Sequence, residues 1–224
     1  MSEYLILDGL VILIPLLYSF EKRVQYYKTW TALFRAIGLT MIPFISWDIL
    51  FTHFRVWHFN PAYTSSLDIA GLPLAEWLFF IVVPYSCLYI YAWVKYFRRN
   101  INDNFSDLDS LAFLVFGILC LVIALVFHEK SYTLVVFGAL GFTLLGLRSE
   151  RPRFLKNFWI AFLISLIPFF LVNGYLTAQP VVLYDHQENL GIRLMTIPVE
   201  DVFYGLLLLL MNTFFYEQSL GRGT

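Results

Sequence analysis

The segment IPFISWDILFT, Ile42 to Thr52, returns 125 positions later as IPFFLVNGYLT, Ile167 to Thr177, with four of eleven positions identical. At the same offset and without a gap, Leu72-Pro73-Leu74-Ala75-Glu76 falls on Ile197-Pro198-Val199-Glu200-Asp201, and Asp48 falls on Asn173. A shared Pro-to-Pro spacing of thirty residues, followed in both places by an acidic residue, is more than two apolar segments share by chance. The chain therefore reads as two copies of one unit, at about 4–94 and 132–216, within a single domain covering 1–224.

The surroundings of these segments say what solvent the chain lives in. Of 224 residues, 59% are hydrophobic and only 14% charged, with a mean hydropathy of +0.70. Such a composition needs lipid rather than a small water-facing core. Seven windows are long and apolar enough for a membrane crossing: about 4–20, 30–52, 74–94, 109–127, 132–147, 157–177 and 198–216. Lys22 and Arg23 follow the first window instead of preceding it, so it reads as a retained helix and not a cleaved leader. The expected fold is all-α, a polytopic transmembrane bundle of about seven helices in which two parallel three-helix repeats are joined by a linking helix, about 109–127. That odd linking helix gives both repeats the same orientation, unlike inverted transporter repeats.

Charge sets the expected orientation. The connections 21–29, 95–107 and 148–156 and the C-terminal tail carry eleven basic residues: Lys22, Arg23, Lys28, Lys95, Arg98, Arg99, Arg148, Arg151, Arg153, Lys156 and Arg222. The other side has Arg55, Lys130 and Arg193, while Arg35 lies inside a span. The positive-inside rule places the N-terminus outside and the C-terminus in the cytoplasm of an inner, cytoplasmic membrane. A net charge of −1 with no basic stripe argues against a nucleic-acid partner. Cys87 and Cys120 lie inside apolar windows and read as packing residues. His53 and His58 are spaced five apart without a companion ligand, so no metal site is expected. The glycines of the fifth window, Gly138, Gly141 and Gly146, form no nucleotide loop and suit close helix packing.

The chemistry-bearing residues gather on the non-cytoplasmic face. Each repeat has a span ending near a polar residue (Asp48, Asn173), then a proline opening the next span with acids behind it (Glu76; Glu200 and Asp201). Such acids suit a helix N-terminus on electrostatic grounds alone. Carboxylates at membrane depth are nevertheless costly and normally face a bundle interior, and two matched motifs strengthen a functional reading. Glu76, Phe80, Val83 and Cys87 share one helical stripe, as do Asp201, Gly205, Leu208 and Asn212, so each acid heads an apolar groove. Trp47, Trp57, Phe59, Trp77, Phe79, Tyr184, Phe203 and Tyr204 stand near the motifs, either as an interfacial belt or as walls for a cation. A carboxylic acid in apolar surroundings can stay protonated near neutral pH, as a general acid must. These features suggest protonation of an apolar substrate. A transporter would want an acid or broken helix at mid-membrane; Asp8 and Arg35 are the nearest residues and suit an interfacial place equally well. The last span has no lysine for a retinal Schiff base. A scaffold in which the acids merely cap helices is the remaining alternative.

PFISWD (Pro43 to Asp48), VWHFNPAY (Val56 to Tyr63), LPLAEWLFF (Leu72 to Phe80) and NLGIRLMTIPVEDVFYG (Asn189 to Gly205) resemble the membrane-integral lycopene, or carotenoid, cyclases. The likeness covers nearly the whole chain and is to the fused form of the heterodimeric bacterial and archaeal type, related to the cyclase domain of fungal bifunctional enzymes. It implies redox-neutral closure of linear carotenoid end groups to β-ionone rings through a carbocation, with no cofactor. Glu76, Glu200, Asp201 and Asp48 are then the catalytic candidates, with acid and base unassigned. Trp47, Trp57, Asn60, Phe79, Phe80, Asn173, Phe203 and Tyr204 are the substrate-binding ones. The implied partners are an apolar carotenoid such as lycopene, the lipid bilayer, and further copies of the chain or other carotenoid enzymes. Hydration of the end group is an alternative outcome of the same cation. One departure stands out: the first motif in that family usually reads PLEE, and here Ala75 replaces its first acid.

Overall fold

The computed structural model describes residues 3–64, 67–101 and 104–221; Arg222, counted above among the basic tail residues, lies outside them. Among the described residues seven helices are long and apolar enough to cross a membrane. They are α1 (Glu3–Leu17), α2 (Trp30–His53), α3 (Leu74–Phe97), α4 (Asp107–Val126), α5 (Ser131–Glu150), α6 (Leu155–Ala178) and α7 (Val199–Gly221). Each matches one expected window, with ends displaced by a few residues where capping decides. In α4, Ser106 and Asp109 close a reciprocal capping box that starts the helix before its apolar run. Pro15, Pro43, Pro84 and Pro168 lie inside helices, as neighbouring helices in a membrane bundle permit.

α2 packs on α7, α3 on α6, α1 on α3 and α5 on α7, so the centre is built from the helices bearing the acidic motifs. α4 packs chiefly on α5, and its outer face presents Leu111, Val115, Leu119, Val122 and Leu125, all exposed. A face that apolar is at home in lipid. A Cβ at Gly141 would come within 2.8 Å of Leu121 Cγ and 2.9 Å of the Gly117 carbonyl oxygen, so these glycines allow α4 and α5 to approach closely. At the end of the bundle rich in basic residues, Lys95 of α3 and Tyr91 one turn earlier both bond to Glu217 of α7.

Among the described residues, three short ribbons that hydropathy did not anticipate close the opposite end. β1 (Trp57–Phe59) pairs antiparallel with β4 (Val182–Tyr184), with His58 opposite Leu183 at its centre and Trp57 opposite Tyr184. β2 (Asp68–Ile69) pairs with β3 (Leu72–Pro73), and β5 (Arg193–Leu194) with β6 (Ile197–Pro198). Adding 125 to the Asp68–Pro73 and Ile69–Leu72 rungs gives Arg193–Pro198 and Leu194–Ile197. Pro73 and Pro198 thus end a ribbon immediately before α3 and α7, instead of occupying the first helical turn.

Candidate active site

Because Pro73 and Pro198 finish their ribbons, the third residue of α3 is Glu76 and the third of α7 is Asp201. Both carboxyls lie near the free amides and positive dipole end of a helix, a favourable place for an acid. Asp48 comes from the other direction, on the penultimate turn of α2. The exposures of Asp48, Glu76 and Asp201 are 2%, 8% and 4%, so water does not solvate them freely.

Each acid is held by aromatic donors. Tyr4 Oη donates to Glu76 Oε2 at 2.6 Å, and Trp57 Nε1 donates to Asp48 Oδ1 at 2.7 Å. Asp201 receives two phenols, from Tyr132 at 2.6 Å and Tyr184 at 2.8 Å, one on each oxygen. The Asp48 carboxyl neighbours that of Glu76, and its Oδ2 is buried without a hydrogen-bond partner; two adjoining buried carboxyls favour one shared proton over two charges. The site therefore holds two unlike acid units: a pair suited to share a proton, and a single carboxyl whose oxygens are both occupied as acceptors. Tyr184 lies outside the helices; burial, reinforced by the neighbouring Asp201, raises its pKa well above the ordinary phenol value and keeps it a donor. The Arg193 guanidinium lies 5.8 Å from the centre of the Tyr184 ring.

Asp48, Glu76 and Asp201 form one end of a cavity of about 670 Å³ whose remaining walls are mostly apolar side chains from α1, α3, α6 and α7. The rings of Trp57, Phe59, Phe79, Tyr132, Tyr184 and Tyr204 line it near the acids. Trp57 stands edge-on to Tyr132 at 5.0 Å, and Tyr132 stacks on Tyr184 at 6.0 Å. Such faces present negative quadrupoles to a cation.

Of the residues singled out from sequence, Asp48, Glu76, Asp201, Trp57, Phe79, Asn173 and Tyr204 line this cavity. Trp47 and Phe80 stand behind that wall, packed on the ring of Phe44, and Trp47 also supports Tyr204 at 5.0 Å. Phe203 turns away and packs on Phe137 and Phe116. Asn60 shapes the loop after β1, its side chain accepting from the Ala62 amide. Glu200 also faces elsewhere: one of its oxygens accepts from Thr133 Oγ1 and from the Leu190 amide, both at 2.7 Å. Asp8, one turn along α1 from Tyr4, is buried.

The phenols Tyr4 and Tyr132 are absent from the sequence-derived set. They are the second residues of α1 and α5, and each holds the third residue of a later helix. The next positions are instructive. Thr133 follows Tyr132 and bonds Glu200, whereas Leu5 follows Tyr4 and packs in the apolar cluster containing Ala75. Ala75, where the second motif has Glu200, thus goes with Leu5, where the second copy has Thr133.

The family profile described as Lycopene cyclase matches residues 2–94 and 129–218, most of the chain and all three cavity carboxyls. No curated protein and no solved structure matches.

Proposed function

The chain belongs to the lycopene cyclase family, and on that premise we propose that it is a redox-neutral lycopene β-cyclase, an intramolecular lyase that closes linear carotenoid end groups into β-ionone rings. The observation that carries this reading is the meeting of Asp48, Glu76 and Asp201 at the polar end of one apolar cavity. A proton leaves the Asp48–Glu76 pair for the terminal double bond of the substrate. The resulting tertiary cation is attacked by the neighbouring double bond, which closes the ring and moves the positive charge onto a ring carbon. Asp201 takes a proton from the adjacent ring carbon, restoring a double bond, so the substrate gains and loses one proton. Transfer of that proton back to Asp48–Glu76 resets the site. Trp57, Tyr132, Tyr184 and Tyr204 surround the cation while excluding water. Glu200 acts as a positioning residue, tying the start of α7 to α5 and to the loop at Leu190.

We also read the chain as a tandem duplication joined by α4, with the N-terminus outside and the C-terminus in the cytoplasm of the cytoplasmic membrane. The matched ribbon registers support the first statement and the eleven basic residues of one face the second.

The test is expression in a lycopene-accumulating bacterium, with pigments separated and weighed by mass spectrometry. A product of unchanged mass and shorter-wavelength absorption supports the cyclase. A product heavier by water points to hydration, and untouched lycopene beside membrane-inserted protein overturns the assignment.

A further inference from the structure

We propose that the cavity is loaded sideways from the bilayer through the seam between α1 and α6, and that it takes one half of a linear carotenoid at a time. The inference rests on the cyclase reading for the nature of the occupant, and on the shape of the cavity for everything else.

Leu10 and Ile14 of α1 and Leu171 of α6 line the cavity, yet they are 61%, 63% and 71% exposed. Residues that face inward and outward at once mark an opening. It lies along the middle of the helices, where the surroundings are lipid. Toward the ribbon end the same seam is fastened by Tyr175 of α6, whose hydroxyl donates to Glu3 of α1 at 2.8 Å. Above the acids, the β1–β4 ribbon covers the cavity. The route is therefore open to an apolar molecule dissolved in the membrane and closed at its watery end. The matching seam, between α5 and α2, is closed at its ribbon end by aromatic packing: Tyr132 meets Phe51 and Trp57 edge-on.

Length limits what can enter. Along α3 the lining runs from Glu76 to Ile90, fourteen residues or about 21 Å of helix. An extended carotenoid is about as long as the hydrocarbon core is thick, roughly 30 Å, so it does not fit end to end. The far end of the cavity is lined by Ser86, Cys87, Ser165 and apolar side chains and carries no carboxyl. Only an end group lying at Glu76 and Asp201 meets an acid, and the other half of the polyene trails out between α1 and α6. Closing both ends thus requires the molecule to leave, turn over and return, and a monocyclic carotenoid is set free in the membrane between the two events.

The experiment uses the full chain in proteoliposomes with isotopically labelled lycopene, chased after a brief pulse with excess unlabelled lycopene. Labelled carotenoid should be trapped mainly as the monocyclic species. Labelled bicyclic product formed without a free monocyclic stage would overturn half-at-a-time occupancy. The seam is tested with Leu171→Trp against Leu163→Trp, an exposed α6 position outside the cavity lining. Leu171→Trp should slow turnover about tenfold or more, as a displaced substrate does, and Leu163→Trp should leave it unchanged. Equal rates for both variants and wild type would overturn lateral entry. Absence of any cyclic product from the wild type would instead remove the cyclase premise.

Discussion

Tyr4 and Tyr132 occupy the same place in α1 and α5, and each donates its hydroxyl at 2.6 Å to the acid at the third position of a later helix, Glu76 and Asp201 respectively. The equivalence is geometric, but their surroundings differ. Glu76 has one phenol and a carboxyl neighbour, whereas Asp201 has two phenols.

That difference predicts unequal consequences for phenol removal. Tyr132→Phe leaves Asp201 with Tyr184, so turnover should fall by about tenfold, the value of one hydrogen bond to a charged group. Tyr132→Phe with Tyr184→Phe should lose more than the two single effects combined, because a buried carboxylate is then left without a donor. Pigment turnover in matched membranes measures both; simple additivity would count against a shared role.

Neutralising the carboxyls tests the acid assignment. Glu76→Gln and Asp201→Asn should each reduce turnover by about a hundredfold or more, the scale of general acid–base catalysis, while the protein accumulates normally. Asp48→Asn should retain more activity than Glu76→Gln, since an amide can still donate to Glu76. Wild-type turnover by Glu76→Gln would exclude the Asp48–Glu76 pair as proton source.

Glu200 should behave as a structural group. Glu200→Ala strands Thr133 and the Leu190 amide, costing about 1–3 kcal/mol for the lost buried bonds. Adding Thr133→Leu recreates the Leu5–Ala75 arrangement of the first copy and should recover part of that loss. Thermal unfolding of the single and double variants in detergent gives the coupling. No recovery would mean that Glu200 matters for another reason.

Tyr184 supplies a pH test. Its pKa is raised in the folded protein by burial and by Asp201, so the fold binds this proton more tightly than the unfolded chain does. The stabilisation is fully present below the ordinary phenol value of about 10 and is lost as pH climbs from there toward the folded pKa. Alkaline titration followed by tyrosinate absorption should show Tyr184 ionising only with unfolding, and Tyr184→Phe should flatten the stability loss above pH of about 10. An early tyrosinate signal that disappears in Tyr184→Phe would contradict this.

The α4–α5 contact should be separable from chemistry. Gly141→Ala drives a methyl against Leu121 and the Gly117 backbone, costing about 1–3 kcal/mol by overpacking. Turnover per folded molecule should stay near wild type.

How far the sequence reaches is seen in single residues. Asp48, Glu76 and Asp201 were legible because an acid in an apolar span is costly, and for Glu76 and Asp201 also because a proline stands just ahead of the helix. Tyr4 and Tyr132 were not, for a definite reason: they correspond at an offset of 128, while the acid motifs correspond at 125. From Tyr4 to Pro43 is 39 residues and from Tyr132 to Pro168 is 36, so the first copy is three residues longer in this stretch. An ungapped comparison pairs Tyr4 with Glu129 and hides the match. Phe203 and Tyr204 show the other limit. Neighbours on a helix point about 100° apart, and in a helix apolar almost all round the sequence does not say which one faces the cavity. The ribbons escaped because strands of two or three residues leave no periodicity to read.

The Trp57–Tyr184 rung of the β1–β4 ribbon has a mechanical meaning. Trp57 holds Asp48 and Tyr184 holds Asp201, so the carboxyls proposed to give and to receive the proton hang from residues directly opposite each other in one antiparallel ladder. The rung's backbone separation is about 4.5–5.5 Å and scarcely stretches. The ribbon thus acts as a tie bar: a shift of either strand is passed to both sides of the cavity together, so the carboxyls on its two ends move as one unit.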